Sequence, residues 1–154
     1  MTISAMDEYS IRFCLRLATC DKSPLSAGEL AEWEDVSAEY ARKVLAVLVH
    51  AGLVKSVRGK QGGYALKSPP GSTSLSDILK AVHPEKEEIC NYCEKFRGHE
   101  SDCVLSSECS LRPVWQAVSD AVERVLGQMS LADLMKSEAQ VTRLLAQLGR
   151  PARA

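Results

Sequence analysis

The chain has 154 residues, 45% of them hydrophobic and 25% charged, with a net charge of −1; that is enough for one globular domain, or for a small domain with an extended arm. It contains no apolar run of about eighteen residues, and its N-terminus lacks the basic, apolar and cleavage-site order of a secretory signal, so a cytoplasmic protein without a membrane span is expected. Its six cysteines are then not expected to form a disulfide framework, because that compartment is reducing, and a metal or redox role for some of them gains weight.

Taken in chain order, Ile11, Cys14, Leu15, Leu17 and Ala18 form a helical stripe between about Asp7 and Cys20, with Arg12 and Arg16 outside it. Cys14 is expected in the core and Cys20 at the helix end. Ser26-Ala27-Gly28-Glu29 has the form of a capping box and opens a helix to about Trp33. Ser37 can cap the next helix, which turns Tyr40, Val44, Leu45, Val47 and Leu48 inward and stops at Gly52. Two helices joined so closely make a helix-turn-helix. Leu53 to Arg58, a glycine turn over Gly59-Lys60-Gln61-Gly62-Gly63, and Tyr64-Ala65-Leu66 then read as a hairpin. Ser74-Leu75-Ser76-Asp77 starts a short helix that His83-Pro84 ends.

Residues 85 to 110 are charged, aperiodic and rich in cysteine, as expected of a loop that needs a ligand for order. Ser110 is expected to cap the longest helix, with Pro113 in its first turn, where a missing N–H costs least. Val114, Trp115, Val118, Ala121, Val122, Val125, Leu126 and Met129 recur along it at three and four. So long a stripe exceeds what a small domain needs for its own core, and a second copy is expected to cover it. Ser130-Leu131-Ala132-Asp133 opens another short helix, Val141, Leu144, Leu145 and Leu148 mark a last one, and a disordered tail is expected over residues 150 to 154.

The fold class that follows is mainly α: a winged helix-turn-helix with a two-stranded wing and a long C-terminal dimerisation helix. Its expected units are a DNA-binding domain over 1–84, a cysteine-rich loop over 85–110, and the dimerisation and C-terminal helices over 111–149.

The charge is divided along the chain. Residues 37 to 67 carry six Lys/Arg against Glu39, whereas residues 85 to 108 carry seven acids against Lys86, Lys95 and Arg97. The first segment suits a polyanion. Within it Ser37, Glu39, Arg42 and Lys43, with Tyr40 beside them, begin the helix that would read a major groove. Lys55, Ser56, Arg58 and Lys60 lie on the wing, suited to phosphates or a minor groove. The alternative is a solvated basic face used for protein contacts. The glycine turn lies between strands and lacks the spacing of a nucleotide phosphate loop.

Cys90, Cys93, Cys103 and Cys109 are spaced C-x2-C-x9-C-x5-C. Several thiolates in one polar loop suit an iron-sulfur cluster or a soft metal. A structural zinc site is compatible with them, although the C-x5-C pair departs from the usual zinc knuckle. A redox pair at Cys90 and Cys93 would lack the strand and helix N-terminus such pairs use. No second catalytic group or cofactor fingerprint accompanies the cysteines, so an enzyme is not expected.

Glu8-Tyr9-Ser10-Ile11-Arg12, the stretch Ala51 to Tyr64, and the cysteines leading into Leu111-Arg112-Pro113-Val114-Trp115 resemble the Rrf2 family of bacterial regulators, which includes IscR-like and NsrR-like proteins. The resemblance spans about residues 5 to 135. It implies a homodimeric winged-helix transcription factor, a repressor or an activator, in which an iron-sulfur cluster, commonly 2Fe-2S, tunes affinity for operator DNA; its members respond to iron-sulfur status, nitric oxide, redox state, iron or cysteine supply. It matches Cys103 and Cys109 to the last two family cysteines, and Cys93 better than Cys90 to the first. The histidine that some relatives place three residues after the last cysteine is Arg112 here, which cannot ligate a metal. Other relatives use an N-terminal carboxylate from the partner subunit, at the position of Glu8; an exposed first-turn acid would also be favoured there by the helix dipole. His99 is a further candidate ligand. Besides the cluster-bearing regulator, the sequence allows a clusterless thiol- or zinc-dependent repressor, or a winged-helix accessory protein of sulfur or cluster metabolism.

Overall fold

The structure, a computed structural model, describes residues 3–20, 24–59, 62–83 and 108–148. Helices α1 (Ala5–Thr19), α2 (Ala27–Trp33) and α3 (Ala38–His50) come first, then strands β1 (Val54–Val57) and β2 (Gly63–Leu66). Helices α4 (Leu75–Val82), α5 (Arg112–Gln128), α6 (Leu131–Leu134) and α7 (Glu138–Leu148) follow. The winged helix-turn-helix expected from the sequence is the observed fold.

Local chemistry accounts for most boundaries. Ser4, Ser26, Ser74 and Ser130 each accept from the amide three residues on, while an acid there, Asp7, Glu29, Asp77 or Asp133, accepts from the serine amide. Two otherwise free donors are satisfied at each such start. Helix α2 ends with Asp35 in the left-handed region at φ 52°, and the Val36 amide returns to the Ala31 carbonyl at 3.0 Å. Gly52, at φ 74°, does the same for α3, with Leu53 donating to Leu48 at 3.0 Å. Both are left-handed stops that re-satisfy carbonyls of the last turn. The Asp35 turn joins α2 to α3, and the Gly52 turn leads from α3 into β1.

The strands pair antiparallel with Val54 opposite Leu66 and Val57 opposite Gly63. The other edge of β2 is closed by Leu25, which exchanges both backbone hydrogen bonds with Tyr64, at 3.0 and 2.7 Å. A β-carbon on Gly63 would fall on the Leu25 carbonyl, so glycine is what lets this third segment approach.

Phe13, Cys14 and Leu17 of α1 meet Leu30 of α2, Val44, Leu45 and Leu48 of α3, Val54 of β1 and Ile78 of α4 in one core. Leu131 joins them at 0% exposure, although it follows the long helix. The return is held by a bridge between Ser74 and Ser130, where Leu75 donates to Met129 and Leu131 donates to Thr73, both at 2.9 Å. Core formation therefore draws on chain from both sides of the cysteine stretch.

Two expectations are corrected. Ser110 does not cap the long helix: the Arg112 amide donates to the Cys109 carbonyl at 3.2 Å, which puts Ser110 inside a turn, and Leu111 takes the cap position without a side-chain bond. Val47 is half-buried and Ala41 takes a core place on α3 with Val44, Leu45 and Leu48, while Tyr40, also half-buried, packs against the core as expected. Pro113 does lie at the start of α5. Cys14 is buried and Cys20 ends α1, as expected. Pro84, expected with His83 to end α4, and the tail over 150 to 154 lie outside the described residues.

Candidate nucleic-acid interface and effector site

The start of α3 is built for presentation. The Ser37 side chain accepts from the Tyr40 amide at 3.1 Å, fixing the first turn. With Ala41, Val44, Leu45 and Leu48 facing the core, the helical period places Glu39, Arg42 and Lys43 outward, and all three are exposed, as is Ser37. Lys55, Ser56 and Arg58 are exposed on the wing, whereas Val54 of the same strand is buried. Lys60 lies outside the described residues. Four cations thus stand on two neighbouring elements with Glu39 as the one acid among these candidates. Such a surface can contact phosphates from the wing while a helix enters the major groove. Tyr40 is less free than its neighbours: its ring meets Tyr9 of α1 edge-on, with centroids 5.6 Å apart. Burial, followed by the nearby Tyr9 and Asp7, pushes its hydroxyl above the ordinary tyrosine range.

The effector candidates are placed less completely. Cys90, Cys93, Cys103 and His99 lie outside the described residues. Cys109 is a free, half-buried thiol at the foot of α5. Cys14 contrasts with it: burial raises that thiol to about 12, so it stays protonated and unfit to ligate. Glu8 is exposed on the first turn of α1. No group of three or more candidate metal ligands is gathered among the described residues. The described donors still fit an iron-sulfur cluster in kind, since Cys109 offers an accessible soft sulfur at one end of the cysteine stretch and Glu8 is open to a second subunit.

Two acidic contacts were not foreseen. Glu34, with a side chain only 2% exposed, accepts from Arg16 Nε at 2.6 Å and pairs through its other oxygen with Arg12. Those guanidiniums also lie over aromatic rings, Arg12 over Tyr9 and Arg16 over Trp33. Asp7 is buried against His83. The Ser4-x-x-Asp7 spacing marks Asp7 as a capping acid, so that half of its role was available from sequence; the histidine partner was not.

Helix α5 leaves much of its apolar surface uncovered, with Val114 51%, Trp115 36%, Val118 38% and Val125 36% exposed. Glu123 on the same helix accepts from Ser76 at 2.8 Å and from Lys80 at 2.6 Å, fastening α5 to α4. Among the described residues no helix is long and apolar enough to cross a membrane.

A wing beside a capped helix carrying outward cations defines a protein of the winged-helix DNA-binding class. Residues 3–137 match the Rrf2 family model, described as an iron-dependent transcriptional regulator. The chain belongs to the Rrf2 family and is a DNA-binding transcriptional regulator, not an enzyme. It is 27% identical to the HTH-type transcriptional regulator NsrR of Bacillus licheniformis, over 95% of this chain and 100% of that protein. Among solved structures it is similar to CymR, the global cysteine regulator of B. subtilis, with a TM-score of 0.70 and 29% identity over 87% of this chain and 95% of that one. It is similar also to IscR of T. potens, with a TM-score of 0.69 and 27% identity over 100% of this chain and 94% of that one.

Proposed function

We propose that the protein is a homodimeric regulator whose iron-sulfur cluster tunes its affinity for operator DNA. Cys93, Cys103 and Cys109 would hold the cluster, with Cys90 or the partner's carboxylate at the position of Glu8 completing the set. When bound, the cluster supplies a centre that responds to oxidants and nitric oxide. The observation that carries this reading is the contrast between Cys109 and Cys14: the one described cysteine of the four-cysteine stretch is free and accessible beside the long helix, while Cys14 is sealed in the core.

Ser37, Glu39, Tyr40, Arg42 and Lys43 would form the reading surface, and Lys55, Ser56, Arg58 and Lys60 the wing contacts. The exposed stripe of α5 supports pairing with a second copy, which would bring two reading helices to successive half-sites. A tie between the cysteine stretch and α5 would favour one relative orientation of the two helices, and operator affinity would follow that population.

The likeness to CymR, a cysteine regulator, favours a second reading in which the thiols act without a cluster. Anaerobic purification separates the two. The cluster reading expects coloured protein with iron and acid-labile sulfide in stoichiometric amounts, and operator affinity that changes when they are removed. Colourless protein whose affinity responds to thiol oxidation alone would establish the second reading instead.

A further inference from the structure

His83 is the C-cap of α4, the last described residue before the cysteine stretch. Its Nε2 lies 2.7 Å from Asp7 Oδ1. The other carboxylate oxygen, Oδ2, accepts from the Ser4 amide and the Ser4 hydroxyl, each at 2.8 Å. Asp7 is thus held from two sides, and its side chain is 7% exposed. A bond from an imidazole to a carboxylate so enclosed fixes position well, because water competes poorly for the carboxylate.

Two residues further along α1, Tyr9 meets Tyr40 at an interplanar angle of 82° and also leans on Phe13 of the core. Tyr40 lies in the first turn of α3, where its amide is held by Ser37. One hydrogen bond, part of a capped helical turn and one ring contact therefore span the distance from the stem of the cysteine stretch to the reading helix. Glu8 stands between Asp7 and Tyr9 on the same turn. The side-chain ties of Ser76 and Lys80 on α4 to Glu123 lead to α5.

We infer that His83 and Asp7 are positioning residues that carry the state of the cysteine stretch to the start of α3 through Tyr9 and Tyr40. This rests on reading that stretch as the effector site. A displacement of the stem pulls on the N-terminal turn of α1, and the Tyr9 ring passes it to Tyr40, beside Glu39, Arg42 and Lys43. Coupled sites commonly change one another's affinity by roughly 5- to 150-fold, and a pinned side-chain contact of this kind falls within that range.

The test uses the full chain and an operator fragment selected from random double-stranded DNA. Affinity is measured for protein reconstituted with iron and sulfide and for the same protein after chelation. H83A is expected to reduce the ratio of the two affinities by about fivefold or more, with unchanged cluster absorbance per chain; H83Q, whose amide can donate to Asp7, is expected to keep it. Tyr9→Leu is expected to lose the ratio while retaining the Asp7 contact, and it serves if H83A folds poorly. In chelated protein, hydrogen exchange at Tyr40 and Ala41 should quicken in H83A and not in H83Q. A wild-type ratio retained in H83A and Tyr9→Leu, or unaltered exchange in H83A, overturns the relay while leaving the effector reading in place. Equal wild-type affinity in the two states overturns the effector reading, and the relay with it.

Discussion

Glu34 and Arg16 face each other at 2.6 Å across the junction of α1 with the turn that leads into α3. The carboxylate is buried and the guanidinium nearly half exposed. Arg12 closes on the same acid, so the two arginines reach from one helix to the base of the reading unit. A buried carboxylate is tolerated when charged donors replace its lost water. Replacing it by the neutral isostere, in Glu34→Gln, should keep the shape and weaken both contacts. The expected loss is about 1–3 kcal/mol, read from urea unfolding at neutral pH. An unchanged midpoint would mean that water serves the two arginines equally well.

The return to the core carries a pH signature. Hydrogen bonds from Lys136 and then from Ser130 hold the Asp133 carboxyl at about 2. Its folded-state value is thus below its unfolded one. The stabilisation is full above the ordinary aspartate range and is lost as pH falls toward that lowered value. Asp133→Asn should be less stable than the wild type at neutral pH, and the gap should narrow on acidification. Urea midpoints for both proteins across that range measure it; a constant gap would assign the loss to something other than the charge.

Arg58 projects from the end of the wing and is exposed. If it neutralises one phosphate, Arg58→Ala should lower affinity for all DNA sequences alike and reduce the slope of log affinity against log salt by about 1. Fluorescence anisotropy over a salt series gives both quantities. Loss confined to the selected operator would indicate base reading by the wing instead.

Val114 and Val118 lie on the exposed apolar stripe of α5. In the proposed dimer a carboxylate placed there would be buried against an apolar partner, a desolvation cost that disfavours pairing. If α5 pairs with a second copy as proposed, Val118→Glu should shift sedimentation from dimer to monomer while leaving the helical circular dichroism of each chain intact. Persistence of the dimer would place the pairing surface elsewhere.

The parts of the fold that could be read from sequence are those fixed by neighbours along the chain. Ser26 with Glu29, Ser74 with Asp77, and Gly52 after α3 act within a turn of themselves, so their residue types suffice to place helix ends. The hairpin was legible for the same reason, since alternating Val54, Lys55, Ser56 and Val57 meet a glycine turn. Ser110 misled because a preceding turn can occupy a good capping residue, and that depends on where the Cys109 carbonyl points. The placement of Glu34 and His83 was not legible: each is defined by a partner on another element, and spacing says nothing of which acid meets which cation. For the reading surface, the exposed positions of Arg42, Lys43, Lys55 and Arg58 followed from periodicity, whereas the engagement of Tyr40 by Tyr9 required the packing of α1 on α3.

The bridge from Ser74 to Ser130 gives the long helix a particular mechanical character. Its far end is sewn into the winged body by Met129 and Leu131, and its flank is clasped to α4 through Glu123, so it has no swivel at either place. Among the described residues it is a handle and not a tether: in the proposed dimer, a twist applied to it by the second copy would turn the winged body with it.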